Sequence, residues 1–150
     1  MSRLGRLAGI ALAAWITLAP SPASAGAATV RVYKSPTCEC CAKWVEHLKS
    51  HGFAVEVTEV PDIDRVKREH KIPDRLASCH TATVGSYYVE GHVPADDVKR
   101  LLKERPRIAG LAVPGMPIGS PGMEGPGAEP YDVLAVDAKG ETKVFASHRP

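Results

Sequence analysis

TVRVYKSPTCECC, residues 29 to 41, joins a strand signal to a helix signal across a cluster of thiols. From Thr29 to Lys34, apolar and polar side chains alternate, with β-branched and aromatic residues among them; this is the period-two pattern of a strand with one covered face. Ser35-Pro36-Thr37 interrupts the pattern and offers N-cap chemistry, after which Cys41, Trp44, Val45 and Leu48 recur at helical spacing until Gly52. Three thiols therefore lie where a strand hands over to the first turn of a helix. Unpaired N–H groups and the helix dipole at such a turn favour thiolate over thiol.

Downstream, Phe53 to Val60 reads as a second strand and Asp62 to His70 as a helix with an acidic cap, stopped before Pro73. Thr81 to Val84 and Ser86 to Val89 read as two strands around Gly85, and Pro94, Val98, Leu101 and Leu102 mark a third helix that ends before Pro106. The order strand, helix, strand, helix, strand, strand, helix, with the cysteines at the first strand–helix junction, predicts an α/β fold of the thioredoxin-like kind. Past Pro106 the composition changes. Prolines and glycines crowd residues 106 to 130, which excludes regular helix or sheet there. Leu111, Val113, Met116, Ile118 and Met123 favour an ordered loop laid over the domain rather than a solvated linker. Asp132 to Val136 and Glu141 to Ala146, separated by Asp137-Ala138-Lys139-Gly140, predict a terminal β-hairpin.

Upstream, Arg3 and Arg6, the apolar run Leu7 to Leu18 and the small residues Ala23-Ser24-Ala25 have the layout of a secretory signal peptide over residues 1 to 25. The expected organisation is thus a signal peptide, a thioredoxin-like domain over 26 to 105, and a Pro/Gly-rich C-terminal extension over 106 to 150 packed on the same domain. Without Arg3 and Arg6 the formal net charge falls from +2 to 0, so neither nucleic acid nor an anionic membrane has electrostatic support as a partner. The expected location is the periplasm, with no membrane attachment once the signal is cleaved, and a short neutral chain suits a monomer.

Four cysteines in an exported chain ordinarily form two disulfides. Here Cys38, Cys40 and Cys41 are crowded together, and adjacent residues such as Cys40 and Cys41 are poor disulfide partners. A ligand cluster or a redox pair fits better. Cys38 and Cys41 have the C-x-x-C spacing of thiol-redox pairs and are the candidate catalytic residues; Cys40 adds a third sulfur that can share one soft ion or bridge several Cu(I) ions. A second constellation, Ser78-Cys79-His80-Thr81, precedes the third strand, where Cys79 is a ligand or a small core residue and His80 a ligand or a polar strand end. His92 lies on the turn before the third helix, either solvated or ligating. Met116 and Met123 sit in Pro-Gly loops, where a thioether serves Cu(I) or fills a gap. His47 and His51 have a chelating spacing on the first helix, but a solvated pair is expected.

C-E-C-C after a strand, S-C-H-T-A, V-E-G-H-V-P and G-L-A-V-P-G-M-P-I-G-S-P-G-M-E together resemble the CopG-type copper-resistance family, over roughly residues 29 to 147. The resemblance implies a thioredoxin-like domain whose C-terminal extension helps bind metal, copper held beside the C-x-C-C turn, and interconversion of Cu(I) and Cu(II) in periplasmic copper detoxification. It makes Cys38, Cys40, Cys41, Cys79, His92 and Met116 candidate ligands or ligand neighbours, with Met123 and His80 behind them. It also suggests copper-efflux or carrier proteins as partners and a thiolate-bridged multinuclear cluster as one form of the bound copper. Two other readings stay open on the residues themselves. A thiol-disulfide oxidoreductase would use Cys38 as nucleophile and Cys41 as resolving thiol, although Cys40, and Cys79-His80 where such folds carry a cis-proline, would disturb it. A structural zinc module would leave the loop methionines without a role.

Overall fold

Chain order in the computed structural model, which describes residues 28–149, is β1 (Thr29–Lys34), α1 (Glu39–Ser50), β2 (Ala54–Glu59), α2 (Ile63–Glu69), β3 (His80–Val84), β4 (Tyr87–Glu90), α3 (Ala95–Glu104), β5 (Gly110–Ala112), β6 (Tyr131–Val136) and β7 (Thr142–His148). The expected signal peptide, residues 1 to 25, lies outside the described residues. The result is a mixed α/β fold in which all seven strands form one sheet, ordered β2-β1-β3-β4-β5-β6-β7. β1 runs parallel to β2 and antiparallel to β3, and β3 is antiparallel to β4.

The alternation read in β1 is realised: Val30 and Val32 are fully buried while Arg31 between them is exposed. Cys41, Trp44, Val45 and Leu48 form the buried stripe of α1, so period two on the strand meets period 3.6 on the helix across one core. Val84, Val89, Val98, Leu101, Leu111 and Val133 complete that core. The Asp62 side chain caps α2 by accepting from the Arg65 N–H at 3.0 Å. Among the described residues no helix is long and apolar enough to cross a membrane.

One expectation is corrected. Residues 106 to 130 are not wholly irregular, because Gly110–Ala112 forms β5, parallel to β4. Three residues are enough for a strand between Pro106 and Pro114 when the ladder partner comes from elsewhere in the chain. Gly110 permits the approach, since a Cβ there would lie 2.3 Å from the Tyr88 carbonyl oxygen. Through β5 the terminal hairpin joins the main sheet, with β6 antiparallel to β5 and a bulge between Val133 and Leu134 in its pairing with β7.

Candidate metal centre

Three backbone segments bring thiols and imidazoles together: the first turn of α1, the residues entering β3, and the turn between β4 and α3. A fourth segment, Pro121 to Met123, lies across them. Cys38 is the N-cap residue of α1, yet its side chain makes no capping bond; it is joined to Cys41 in a disulfide. Cys40 and Cys79 are the free cysteines, both half-buried. The turn therefore does not present three thiolates in this state. In the C-x-x-C pair, residues three apart lie on the same side of the first helical turn, so their sulfurs meet, while the Cys40 sulfur lies between Cys38 and Cys79.

Cys40 Sγ lies 3.5 Å from Cys38 Sγ and 3.9 Å from Cys79 Sγ. Cys79 Sγ in turn lies 3.0 Å from His92 Nε2 and 3.3 Å from His80 Nδ1. Cys79 is thus the vertex shared by two groups that could hold a metal ion, Cys79-His80-His92 and, once the Cys38–Cys41 bond is reduced, Cys38-Cys40-Cys41-Cys79. Two thiolates on one tetrahedral ion, with bonds of about 2.3 Å, stand roughly 3.8 Å apart, close to the spacing of Cys40 and Cys79.

Both imidazoles turn a ring nitrogen toward the Cys79 sulfur. His92 is fully buried, not a solvated turn residue, and its Nδ1–H donates to the Pro121 carbonyl at 2.7 Å. A carbonyl only accepts, so the proton is on Nδ1 and the Nε2 lone pair faces the Cys79 sulfur. Histidine ligands of metal sites usually have their second nitrogen fixed in this way. His80 is also fully buried, packed against the Trp44 ring at 4.3 Å and the His92 ring at 5.0 Å, and its Nε2 has no hydrogen-bond partner. Burial lowers the pKa of both histidines; His92 also gains opposing help from the Pro121 carbonyl, and His80 is lowered further by its neighbours His92 and Lys67. Burial, followed by the adjacent Cys40 sulfur, pushes the Cys79 thiol up to about 12. In the metal-free state this corner is a set of neutral groups, and a soft cation would relieve the cost of forming a thiolate among them.

Two supports carry no signature in the sequence. Glu90, fully buried at the end of β4, accepts from Lys67 Nζ at 2.5 Å, from Thr81 Oγ1 at 2.6 Å and from the Ser78 backbone N–H at 2.6 Å. Lys67 also donates to Thr81 Oγ1 at 3.2 Å. Trp44 Nε1–H donates to the Val93 carbonyl at 2.8 Å, fixing the turn that carries His92 to α1. Gly122 lets the covering loop touch the site: with φ at +87°, a Cβ there would lie 2.7 Å from the Cys40 carbonyl oxygen and 2.9 Å from the Trp44 nitrogen.

Both loop methionines reach the same opening. Cys38, Cys40, Met116, Ile118, Met123 and Glu124 line a cleft of about 800 Å³, with Met116 half exposed. The expectation of a solvated His47–His51 pair does not hold. His47 Nε2 accepts the Ala95 N–H at 3.0 Å and so caps α3, while His51 Nδ1 bonds the His47 carbonyl at 2.8 Å. That role needs a residue from a different helix, and spacing along α1 cannot reveal it.

A family described as a protein of unknown function, DUF411, matches residues 76–123, a span that runs from before Cys79 to Met123. No curated protein matches the chain. Two solved structures, titled copper resistance protein copG form 2 and form 1, are each 38% identical to it. The first superposes with a TM-score of 0.78 over 82% of this chain and 99% of the other, and the second with 0.77 over 81% and 98%.

Proposed function

Because the chain belongs to the family of the copper resistance protein CopG, we propose that copper is its cargo and that the protein interconverts Cu(I) and Cu(II) in the periplasm as part of copper resistance. The observation that carries this reading is the convergence of Cys40 Sγ, Cys79 Sγ and His92 Nε2 under a cleft lined by two thioethers. Sulfur and imidazole suit copper, and thioethers are poor ligands for zinc, which weakens the structural zinc reading.

On this reading Cys40, Cys79 and His92 hold copper, His80 lies within reach through Nδ1, 3.3 Å from the Cys79 sulfur, and Met116 and Met123 receive or release the ion at the cleft. Cys38 and Cys41 act as a two-electron couple. Their two thiolates pass one electron each to two Cu(II) ions, giving two Cu(I) and the Cys38–Cys41 disulfide; a thiol reductant then restores the dithiol by exchange. Reduced, the same sulfurs add ligands and allow a thiolate-bridged cluster. The connectivity β1-α1-β2-α2-β3-β4-α3, with sheet order β2-β1-β3-β4 and the C-x-x-C pair after β1, supports a thioredoxin-like domain over residues 26 to 105. The extension 106 to 150 would then supply the Pro121 carbonyl and the methionines, residues 1 to 25 would direct export, and a copper-efflux or carrier protein would exchange the ion with a monomer. The disulfide itself favours a second reading, a thiol-disulfide oxidoreductase.

Protein recovered from the periplasm of copper-fed cells tests this, compared with a Cys38→Ser/Cys41→Ser variant. Bound copper with thiolate charge-transfer absorption, and reduction of added Cu(II) that the variant loses, is the expected result. Metal-free protein whose disulfide exchanges with substrate thiols would replace the copper reading with the second one.

A further inference from the structure

We propose that Glu90 is a positioning residue of the metal centre: its buried carboxylate ties together the two backbone segments that present Cys79 and His92. The inference rests on the copper reading for its consequence but on geometry for its substance. Ser78, whose N–H Glu90 accepts at 2.6 Å, immediately precedes Cys79; Glu90 itself stands two residues before His92, so a single side chain fixes one segment to the other across the β3–β4 pair. Thr81 and Glu90 face each other in that ladder, and Lys67 reaches in from α2 to neutralise the carboxylate.

The turn between the two anchored points has no slack. Gly91 has φ at +72°, and a Cβ on it would lie 2.6 Å from both the Ser78 side chain and the Val113 carbonyl. Ser78 Oγ also donates to the Gly115 carbonyl, which links the same knot to the Pro-Gly loop that carries Met116. A fully buried charge is costly unless it is paired and hydrogen-bonded. Core packing alone gives no reason for a lysine, a carboxylate, a threonine hydroxyl and a backbone N–H to meet at this place. They meet next to the 3.0 Å approach of Cys79 Sγ to His92 Nε2, where a small displacement would separate the donors.

Two variants separate positioning from folding. Lys67→Met/Glu90→Leu removes the charge pair together, an exchange that buried ion pairs often tolerate without loss of stability, and leaves the Ser78 N–H without its acceptor. The amide control Lys67→Met/Glu90→Gln keeps an oxygen for that N–H without leaving Lys67 buried and unpaired. In the metal-free, reduced full-length chain, nitrogen NMR of the histidine rings reads the His92 environment directly; a chromogenic Cu(I) chelator in competition reads affinity. The double variant Lys67→Met/Glu90→Leu is expected to fold, to shift the His92 ring signals and to hold Cu(I) about tenfold or more weakly, with the amide control recovering most of that loss. A folded double variant with parental His92 signals and parental Cu(I) affinity overturns the proposal. Should the double variant not fold, Glu90→Asp carries the test, since it keeps the charge for Lys67 but draws the oxygen back from Ser78; the same shift and weakening are expected, and parental values overturn. If the parent chain itself holds no Cu(I), the copper reading falls, and the His92 signals alone decide whether Glu90 positions the site.

Discussion

The two halves of the candidate metal centre are built differently. On the α1 side, Cys38, Cys40 and Cys41 lie on one helical turn beside an open cleft, and their chemistry depends on whether the Cys38–Cys41 bond is closed. On the β3–β4 side, Cys79 and His92 are held by groups that do not change: the Glu90 carboxylate, the Pro121 carbonyl and the Trp44–Val93 bond. One half can gain and lose ligands while the other stays fixed. Under the proposed cycling of copper between two oxidation states, this division would separate the variable part of the coordination from the part that fixes its position.

The comparison breaks most completely at Cys79, which belongs to both halves. Replacing it with serine removes the sulfur that Cys40 and His92 share, so the two groups can no longer act on one ion. The expected loss of Cu(I) affinity exceeds the roughly hundredfold that supporting residues reach, because a ligand and not its support has gone. Chelator competition measures it. Retention of affinity within a few fold would mean that the α1 thiols bind copper alone and that the fixed half is not part of the site.

The α1 half was readable in the sequence, and the fixed half only in part. Strand alternation from Thr29 to Lys34 and the helical recurrence of Cys41, Trp44, Val45 and Leu48 placed the thiol turn correctly, because both are local periodicities. Cys79, His80 and His92 could be named by residue type, but their burial could not, and the turn position of His92 alone left solvation and ligation both open. The Glu90–Lys67–Thr81–Ser78 network left no trace, since it joins α2, β3, β4 and the approach to β3, elements far apart in the chain. β5 was hidden for the opposite reason: the glycine and proline content that marks a loop also allows Gly110 to lie against Tyr88.

Gly122→Ala tests whether the covering loop belongs to the fixed half. A methyl group there must occupy space within 3 Å of the Cys40 carbonyl and the Trp44 nitrogen while the backbone keeps φ at +87°. The strain amounts to about 1–3 kcal/mol, and the loop should lift to relieve it. As it lifts, the Pro121 carbonyl leaves His92 Nδ1 and Cu(I) affinity drops about tenfold. Unchanged affinity with lowered stability would assign the loop to packing alone.

A smaller change is expected for Trp44→Phe, which keeps an aromatic ring against His80 but leaves the buried Val93 carbonyl without its donor. The cost should be about 1–3 kcal/mol in urea denaturation, with only a minor change in copper affinity, since His92 keeps its bond to Pro121. A large loss of affinity from this variant would make the α1 contact, and not the covering loop, the main restraint on His92.

The smallest effect concerns His47, which joins α1 to α3 behind the centre. Its pKa is lowered from 6.5, first by burial and then by His51. Protonation of Nε2 would also deprive the Ala95 N–H of its acceptor. The sign follows from linkage: between the lowered folded value and the ordinary unfolded one, the unfolded chain binds more protons, so acid favours unfolding. The stabilisation is complete above the unfolded pKa and is lost as pH falls through the folded one. Any one such histidine contributes a slope of at most about 1.4 kcal/mol per pH unit. The metal-free protein should therefore unfold at lower urea at pH 5 than at pH 7. His47→Gln keeps an acceptor for Ala95 but cannot titrate, so it should match the parent at pH 7 and lose less on acidification. His80 and His92 carry shifts of the same sign, so part of the acid loss will persist in the variant. Parallel profiles for parent and variant would place the acid response in groups other than the α1–α3 contact.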